Sequence, residues 1–235
     1  MTLPENIALH CKKKLKLENA KLGDEYFYSS LPLCVIDAVF SISIKYGSVQ
    51  NVLKRCAAYL KIKLFRESGS TFLPAAEQLS INDFLNLYEH NSLEYITNTI
   101  YKNRCRTSSK NGILKSEAVY RFLKVLQKYE VNYFQDMGKI IDNSNFYNDI
   151  TSIPSQKSGL SLTYFYMLAG DETLIKPDRM VHRFIYDCTN EPMTSQHVIN
   201  LLNNVIMILN EDYPNLTLRE LDHEIWKYQR FLDKQ

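Results

Sequence analysis

Near the middle of this 235-residue chain, a short polar segment reads Ile153-Pro154-Ser155-Gln156-Lys157-Ser158-Gly159. Pro, Ser and Gly favour turns, so the segment predicts a tight connection between two helices. The first amides of a helix are unpaired and carry partial positive charge, which makes such a turn a ready phosphate site. Lys157 would add a formal charge and Ser158 a hydroxyl group. A plain helix–helix connection is the alternative interpretation.

The residues after this turn predict a buried helix and then a carboxylate at the start of another helix. The stretch 160–169 is apolar on most sides, as expected of a buried helix. Pro177 disfavours helical geometry at Lys176, and Asp178 stands where an N-cap would begin the next helix. An N-cap contributes about 1 kcal/mol to stability, and it also fixes the orientation of the carboxylate. A role as a cap and a role in catalysis are therefore compatible for Asp178.

These motifs resemble the helix–hairpin–helix DNA glycosylase superfamily, in its endonuclease III-like form without an iron–sulfur cluster. In that family a Leu-Pro-Gly-x-Gly hairpin grips the DNA backbone, and an Asp starts a helix shortly beyond it. Ile153-Pro154 matches the Leu-Pro of the hairpin, and Asp178 matches the catalytic Asp with about one extra residue between them. Arg183 falls where the endonuclease III branch carries Arg.

Two segments upstream extend the resemblance, in the same order as in the family. The segment 111–118, which contains Gly112 and Lys115, is similar to the Gly-x-x-x-x-Lys-Ala segment that opens the helix before the hairpin helices. The segment 31–41 resembles the apolar helix near the family's N-terminus. Together the matches cover most of residues 31–185.

The resemblance implies an all-α, two-lobed fold with a helix-hairpin-helix motif. Residues 1–105 with 186–235 would form one lobe, and residues 106–185 the helix–hairpin–helix lobe. It implies a monofunctional DNA glycosylase that flips a modified base out of double-stranded DNA and hydrolyses its N-glycosidic bond. The expected site residues are Asp178 and, as a second acid, Asp37 for catalysis; Tyr164 and Tyr166 for the base pocket; and Ser155, Gln156, Lys157, Ser158, Gly159 and Lys115 for DNA binding.

The chain departs from the family pattern inside the turn. Ser155 and Lys157 replace both hairpin glycines, so the backbone would approach a DNA phosphate less closely. The side chain of Lys157 would then have to make the contact with the phosphate. Gly159 stands where bifunctional members carry the lysine that forms a Schiff base, so no lyase activity is expected.

Composition agrees with a helical protein that needs no metal. The chain has only 7 Gly and 7 Pro, and its apolar residues recur at helical spacing. Its five cysteines are widely separated and match no zinc or iron–sulfur ligand pattern, so we expect neither a metal nor another cofactor. We find no secretory signal and no apolar run that would span a membrane. These features predict a cytoplasmic protein, nucleoid-associated in a bacterium or nuclear in a eukaryote, with no membrane partner. We also expect it to be a monomer.

The formal net charge is only +2, but the charges are unevenly distributed and one stretch of the chain is strongly basic. Between residues 102 and 128 a single acid, Glu117, accompanies eight basic residues: Lys102, Arg104, Arg106, Lys110, Lys115, Arg121, Lys124 and Lys128. Such a cluster attracts polyanions, although a solvated helix face would show the same pattern. Two alternatives to the enzyme stay open: a non-catalytic helix–hairpin–helix DNA-binding protein, in which Asp178 is only a cap, and an unrelated helical interaction protein.

Overall fold

The computed structural model describes residues 1–233, and it is built from helices. Eleven α-helices lie among these residues: α1 (Leu3–Lys14), α2 (Leu31–Phe40), α3 (Tyr46–Leu60), α4 (Ile81–His90), α5 (Leu93–Tyr95), α6 (Lys115–Lys128), α7 (Ser144–Ser152), α8 (Leu160–Leu168), α9 (Arg179–Thr189), α10 (Ser195–Leu209) and α11 (Leu218–Leu232). Helix α5 continues into a π-helical turn over Ile96–Ile100. Extended pairing in the described part of the chain is limited to two isolated bridges, Tyr28–Phe65 and Arg106–Leu114. The predicted all-α class is confirmed.

Capping side chains fix where several helices begin. The Ser80 hydroxyl accepts a hydrogen bond from the Asp83 amide at 2.9 Å and caps the start of α4. Helix α11 begins with a capping box, in which Thr217 and Glu220 each accept the other's backbone N–H. Helix α1 begins in the same way, with a capping box of Thr2 and Glu5.

The chain divides into two compact units. Unit 1 comprises residues 1–23 and 170–235, of which 234 and 235 lie outside the described residues, and unit 2 comprises residues 24–169. These boundaries differ from the predicted lobes, which joined 1–105 to 186–235. The difference arises because α2 packs against α6 and α8, so these helices belong to one unit.

Unit 1 is built from α1, α9, α10 and α11 around one apolar core. Helix α1 packs against α9 and α10, and α11 packs against the same two helices. The core includes Ile7, Phe184, Leu202, Val205 and Ile225, all fully buried. The connection from α8 to α9 carries Asp178 and ends at the first residue of α9.

Unit 2 is organised around α2, which has all ten of its residues buried. An apolar helix of this kind needs neighbours on every side, and α3, α6 and α8 supply them. Helices α7 and α8 flank the segment 153–159, which we call the α7–α8 turn. Between α6 and α7 the chain forms a 3₁₀ segment, Phe134–Lys139.

None of the helices formed by residues 1–233 combines the length and the apolar character that crossing a membrane requires.

Candidate functional site

The α7–α8 turn in unit 2 is closed by its own backbone. The Ile153 carbonyl accepts the Gln156 amide, and the Gln156 carbonyl accepts the Gly159 amide, both at 2.9 Å. The Gly159 carbonyl then accepts the Thr163 amide and begins α8. The turn is therefore a defined structure of consecutive hydrogen-bonded bends.

Two residues of this turn have left-handed backbone conformations. Ser155 has φ +67° and Gly159 has φ +70°. Glycine adopts this region without a steric penalty, whereas serine does so at a cost. At Gly159 a Cβ would also lie 3.2 Å from the Tyr147 hydroxyl oxygen, so a second constraint favours glycine there. Ser155 thus occupies one of the two positions where the glycosylase pattern carries glycine, and its backbone has a conformation that glycine favours.

The predicted DNA-binding residues of the turn separate into exposed and buried groups. Ser155, Lys157 and Ser158 are exposed. Gln156 and Gly159 are buried, and the Gln156 side chain accepts a hydrogen bond from the Ser161 hydroxyl. Gln156 therefore braces the start of α8, and Lys157 and Ser158 form the part of the turn that a ligand would meet.

Lys115 has a structural role that differs from the predicted contact with DNA. Its side chain is 1% exposed. The Nζ donates to the carbonyl oxygens of Val39, Phe40 and Ile42 at 3.2, 2.9 and 2.5 Å. These are the last carbonyls of α2 and the residues just after it, where the helix dipole favours a cation. Lys115 holds the end of α2 and does not face solvent.

A groove beside the turn carries the basic residues that are exposed on α6. We call this the α6 groove, and its lining residues are Arg121, Lys124, Val125, Lys128, Asp149, Ser152 and Ile153. Ser152 ends α7 and Ile153 begins the α7–α8 turn, so the groove and the turn are adjacent. The sequence had indicated the charge of this stretch but not which of its cations share a surface.

Each cation of the α6 groove already has a polar partner. Lys128 lies 2.7 Å from Asp149, and Arg121 lies 2.7 Å from Glu117. The Lys128 ammonium and then the Tyr129 hydroxyl lower the pKa of Asp149. Exposed pairs of this kind contribute little to stability, so an approaching phosphate would exchange with the carboxylates at small cost.

Asp37 lies in a closed cluster inside unit 2. It is fully buried, and it accepts hydrogen bonds from the Tyr28 hydroxyl at 2.9 Å and the Ser41 hydroxyl at 2.5 Å. Burial, followed by the charge of Asp37, raises the pKa of Tyr28, Tyr46 and Tyr164. The cluster is consistent with an internal polar network and gives Asp37 no exposed surface.

The two tyrosines predicted to line a base pocket are part of the packing of unit 2. Tyr164 is 7% exposed and lies near Asp37. Tyr166 donates from its hydroxyl to the Ile140 carbonyl at 3.0 Å. The structure therefore brings Tyr164 and Asp37 together, but in a buried cluster.

In unit 1, Asp178 is the N-cap of α9, as the sequence predicted. Its Oδ1 accepts the amides of Met180 at 2.7 Å and Val181 at 3.2 Å. Its Oδ2 lies 4.0 Å from the Lys176 Nζ, and a quarter of its side chain is exposed. The carboxylate is thus fixed at the positive end of a helix dipole and remains accessible from solvent.

A second carboxyl group, which the sequence analysis missed, lies near Asp178. Asp222 on α11 is 6% exposed and accepts the Lys176 amide at 3.1 Å. Burial and then the charge of Asp178 raise the pKa of Asp222 to about 8, whereas Lys176 acts in the opposite direction. The signal was available in the sequence, because Asp222 follows Leu218 by four residues and precedes Ile225 by three, on the apolar side of α11.

Arg183, the other residue of the family pattern on α9, is used within unit 1. It donates to Gln229, including the Gln229 carbonyl at 3.1 Å, and lies 2.8 Å from Asp233. It therefore joins α9 to the end of α11.

A family model described as a domain of unknown function, DUF8548, matches residues 5–230. The chain belongs to this family. No curated protein and no solved structure matches it. The DUF8548 match extends from within α1 to within α11 and includes Asp178, Asp222 and the α7–α8 turn, so the family domain contains both units.

Proposed function

We propose that this DUF8548 protein is a monofunctional DNA glycosylase, which removes a modified base from double-stranded DNA by hydrolysis. The observation that carries the proposal is Asp178: an oriented, accessible carboxylate at the start of α9, beside the perturbed carboxyl of Asp222. Perturbed titratable groups gathered at one place are typical of catalytic sites. The order of the motifs in the sequence, with the turn preceding the carboxylate, supports this class of enzyme.

The reaction needs one carboxylate in the role we assign to Asp178. Rotation of the nucleotide out of the duplex exposes the bond between C1′ and the base nitrogen. As that bond breaks, positive charge develops on the sugar, as in glycoside hydrolysis. Asp178 stabilises this charge and accepts a proton from the water that adds to C1′. The bonding electrons leave with the base, which takes up a proton.

Unit 2 supplies the contact with the DNA backbone in this proposal. Lys157 and Ser158 on the α7–α8 turn, together with the first amides of α8, bind one phosphate. Arg121, Lys124 and Lys128 in the α6 groove bind further phosphates along the same strand. Gly159 provides no amine for a Schiff base, so the product is an intact strand with an abasic site.

The decisive experiment compares the wild-type protein with Asp178→Asn on duplexes that each carry one alkylated, oxidised, deaminated or hypermodified base. Asn is as good an N-cap as Asp, so this variant keeps α9 and removes the charge. The matched control is Asp171→Asn, which changes a carboxylate in the loop before α9 that accepts the Thr173 amide at 2.9 Å.

We expect strand breaks after alkali treatment in the wild type and in Asp171→Asn, and none in Asp178→Asn. Removal of a charge from such a site lowers rates by about 100-fold or more. Without alkali, no strand should break. Equal cleavage by wild type and Asp178→Asn would refute the catalytic role of Asp178.

A non-catalytic DNA-binding protein is the second candidate, and the closed cluster around Asp37 and Tyr164 favours it. In that case no duplex would be cleaved, and Asp178 would act only as a cap. Binding to duplex DNA that weakens steeply with salt would still be expected, and loss of Lys157 and Lys124 should reduce that salt dependence. An unrelated helical interaction protein would show no salt-sensitive binding to DNA.

A further inference from the structure

Asp222 has no place in the glycosylase pattern. It is nevertheless a buried carboxyl group on which the charge of Asp178 acts. We propose that Asp222 is a positioning residue for Asp178: it accepts the Lys176 amide and thereby fixes the backbone that leads into Asp178. The catalytic meaning of this inference rests on the proposed glycosylase function. Its structural part can be tested without activity.

The contacts form a continuous path from α11 to Asp178. The Lys176 amide donates to Asp222 Oδ1 at 3.1 Å, and the Asp178 amide donates to the Lys176 carbonyl at 2.7 Å. The Lys176 Nζ then lies 4.0 Å from Asp178 Oδ2. Lys176 is 8% exposed and Asp222 is 6% exposed, so this path is buried up to Asp178. Pro177, between the two residues, restricts the backbone further.

The charges around Asp222 favour its neutral form. Asp222 is buried, and a negative charge there would repel Asp178 and share the Lys176 ammonium with it. A buried carboxyl group beside a like charge has a raised pKa, because burial and repulsion both disfavour its ionised form. Burial and Asp178 raise the pKa of Asp222 to about 8, so Asp222 is the group that keeps its proton at neutral pH.

Two ionisable neighbours of Asp222 on α11, Arg219 and His223, have contacts of their own. Arg219 lies 2.9 Å from Glu172, and His223 stacks on Trp226 with ring centroids 5.7 Å apart. The groups that act on Asp222 are thus Asp178, at the start of α9, and Lys176, in the preceding loop.

Loss of the proton from Asp222 has a defined consequence for Asp178. Ionised Asp222 would repel Asp178 and compete with it for the Lys176 ammonium. The segment that carries Asp178 would then lose its geometry, and the rate of base release would fall as pH rises through about 8. The fraction of neutral Asp222 falls about tenfold by one pH unit above its pKa, so the rate near pH 9 should be about tenfold below its plateau.

The experiment follows two readouts in the wild type, Asp222→Asn, Asp222→Ala and the control Glu211→Gln, an exposed carboxylate of the same unit. The first readout is the carboxyl ¹³C NMR signal of Asp178 from pH 4 to 10. The second is the single-turnover rate of base release from pH 6 to 9. Asn keeps an oxygen acceptor for the Lys176 amide and has no proton to lose, whereas Ala removes the acceptor.

In the wild type and Glu211→Gln, the Asp178 signal should show an inflection near pH 8 that is absent in Asp222→Asn. The alkaline decline of the rate should likewise disappear in Asp222→Asn, and Asp222→Ala should be about tenfold slower than Asp222→Asn at pH 6.5 because it lacks the acceptor. If the wild-type Asp178 signal has no inflection near pH 8, the inference is overturned whatever the activity. If the inflection is present but no duplex loses a base, the positioning role is supported and the glycosylase proposal fails.

Discussion

The buried ammonium of Lys115 allows the sharpest test of how unit 2 is stabilised. Its Nζ donates to three carbonyls at the end of α2, and its side chain has almost no contact with water. Replacing it by Met keeps a stem of similar length and removes only the charged donor. The Lys115→Met variant would leave the carbonyls of Val39, Phe40 and Ile42 without this partner.

The size of the effect follows from the number of carbonyls involved. A buried polar group that loses its partner costs about 1–3 kcal/mol. At the lower end of that range, three carbonyls together cost about 3 kcal/mol, and incomplete access of water would increase the loss. A domain is stable by only about 5–15 kcal/mol, so Lys115→Met should lose a large fraction of the total.

Urea denaturation followed by circular dichroism measures this change through the shift of the midpoint. The control is Lys124→Met on the exposed side of the same helix, which should change the free energy of unfolding by no more than about 0.5 kcal/mol. A loss below about 1 kcal/mol for Lys115→Met, with an unchanged slope, would refute the reasoning that the ammonium holds the end of α2.

Three further predictions concern the turn and the carboxyl pair. Gly159→Ala should destabilise the protein by about 1–3 kcal/mol in the same assay, because φ is +70° and the new Cβ would lie 3.2 Å from the Tyr147 hydroxyl oxygen; a change near zero would contradict the left-handed assignment. Ser155→Gly should stabilise it by up to about 1 kcal/mol, because φ is +67° and glycine has no penalty there; a clear loss would mean that the Ser155 side chain has a role of its own. The raised pKa of Asp222 means that its protonation stabilises the folded state fully below about pH 4, and that this contribution is lost as pH rises to about 8. Between pH 5 and 7 the wild type should therefore lose up to about 2–3 kcal/mol relative to Asp222→Asn, and parallel stability curves for the two proteins would rule this out.

The sequence predicted elements whose stability is encoded locally. Ser80 and Asp178 cap α4 and α9 because their side chains reach amides two or three residues ahead, a relation that the sequence alone reveals. Helix α1 is harder to predict from the sequence, because its apolar side is narrow, with Ile7, Ala8 and Cys11 as its buried residues. Its capping box, Thr2 with Glu5, was the local signal that could have identified it.

The roles of individual polar residues depended on tertiary contacts that the sequence does not display. Lys115 lies in a basic stretch, but its carbonyl partners are more than seventy residues away in the chain, so charge alone predicted the wrong environment. Asp222 accepts a hydrogen bond from the amide of Lys176, which lies 46 residues earlier in the chain. Burial is the main cause of the raised pKa of Asp222. In both cases the fold decides which ionisable groups meet solvent.

The discontinuity of unit 1 has a consequence for the order in which the chain folds during synthesis. Helix α1 leaves the ribosome before α9 and α10, which are made much later and supply the residues that bury Ile7 and Cys11. Unit 2 is a continuous segment and has its own core, so it can fold before α9 and α10, the helices that pack against α1, have been synthesised. A nascent chain stopped before α10 should therefore contain a folded unit 2 and an α1 that is sensitive to proteases.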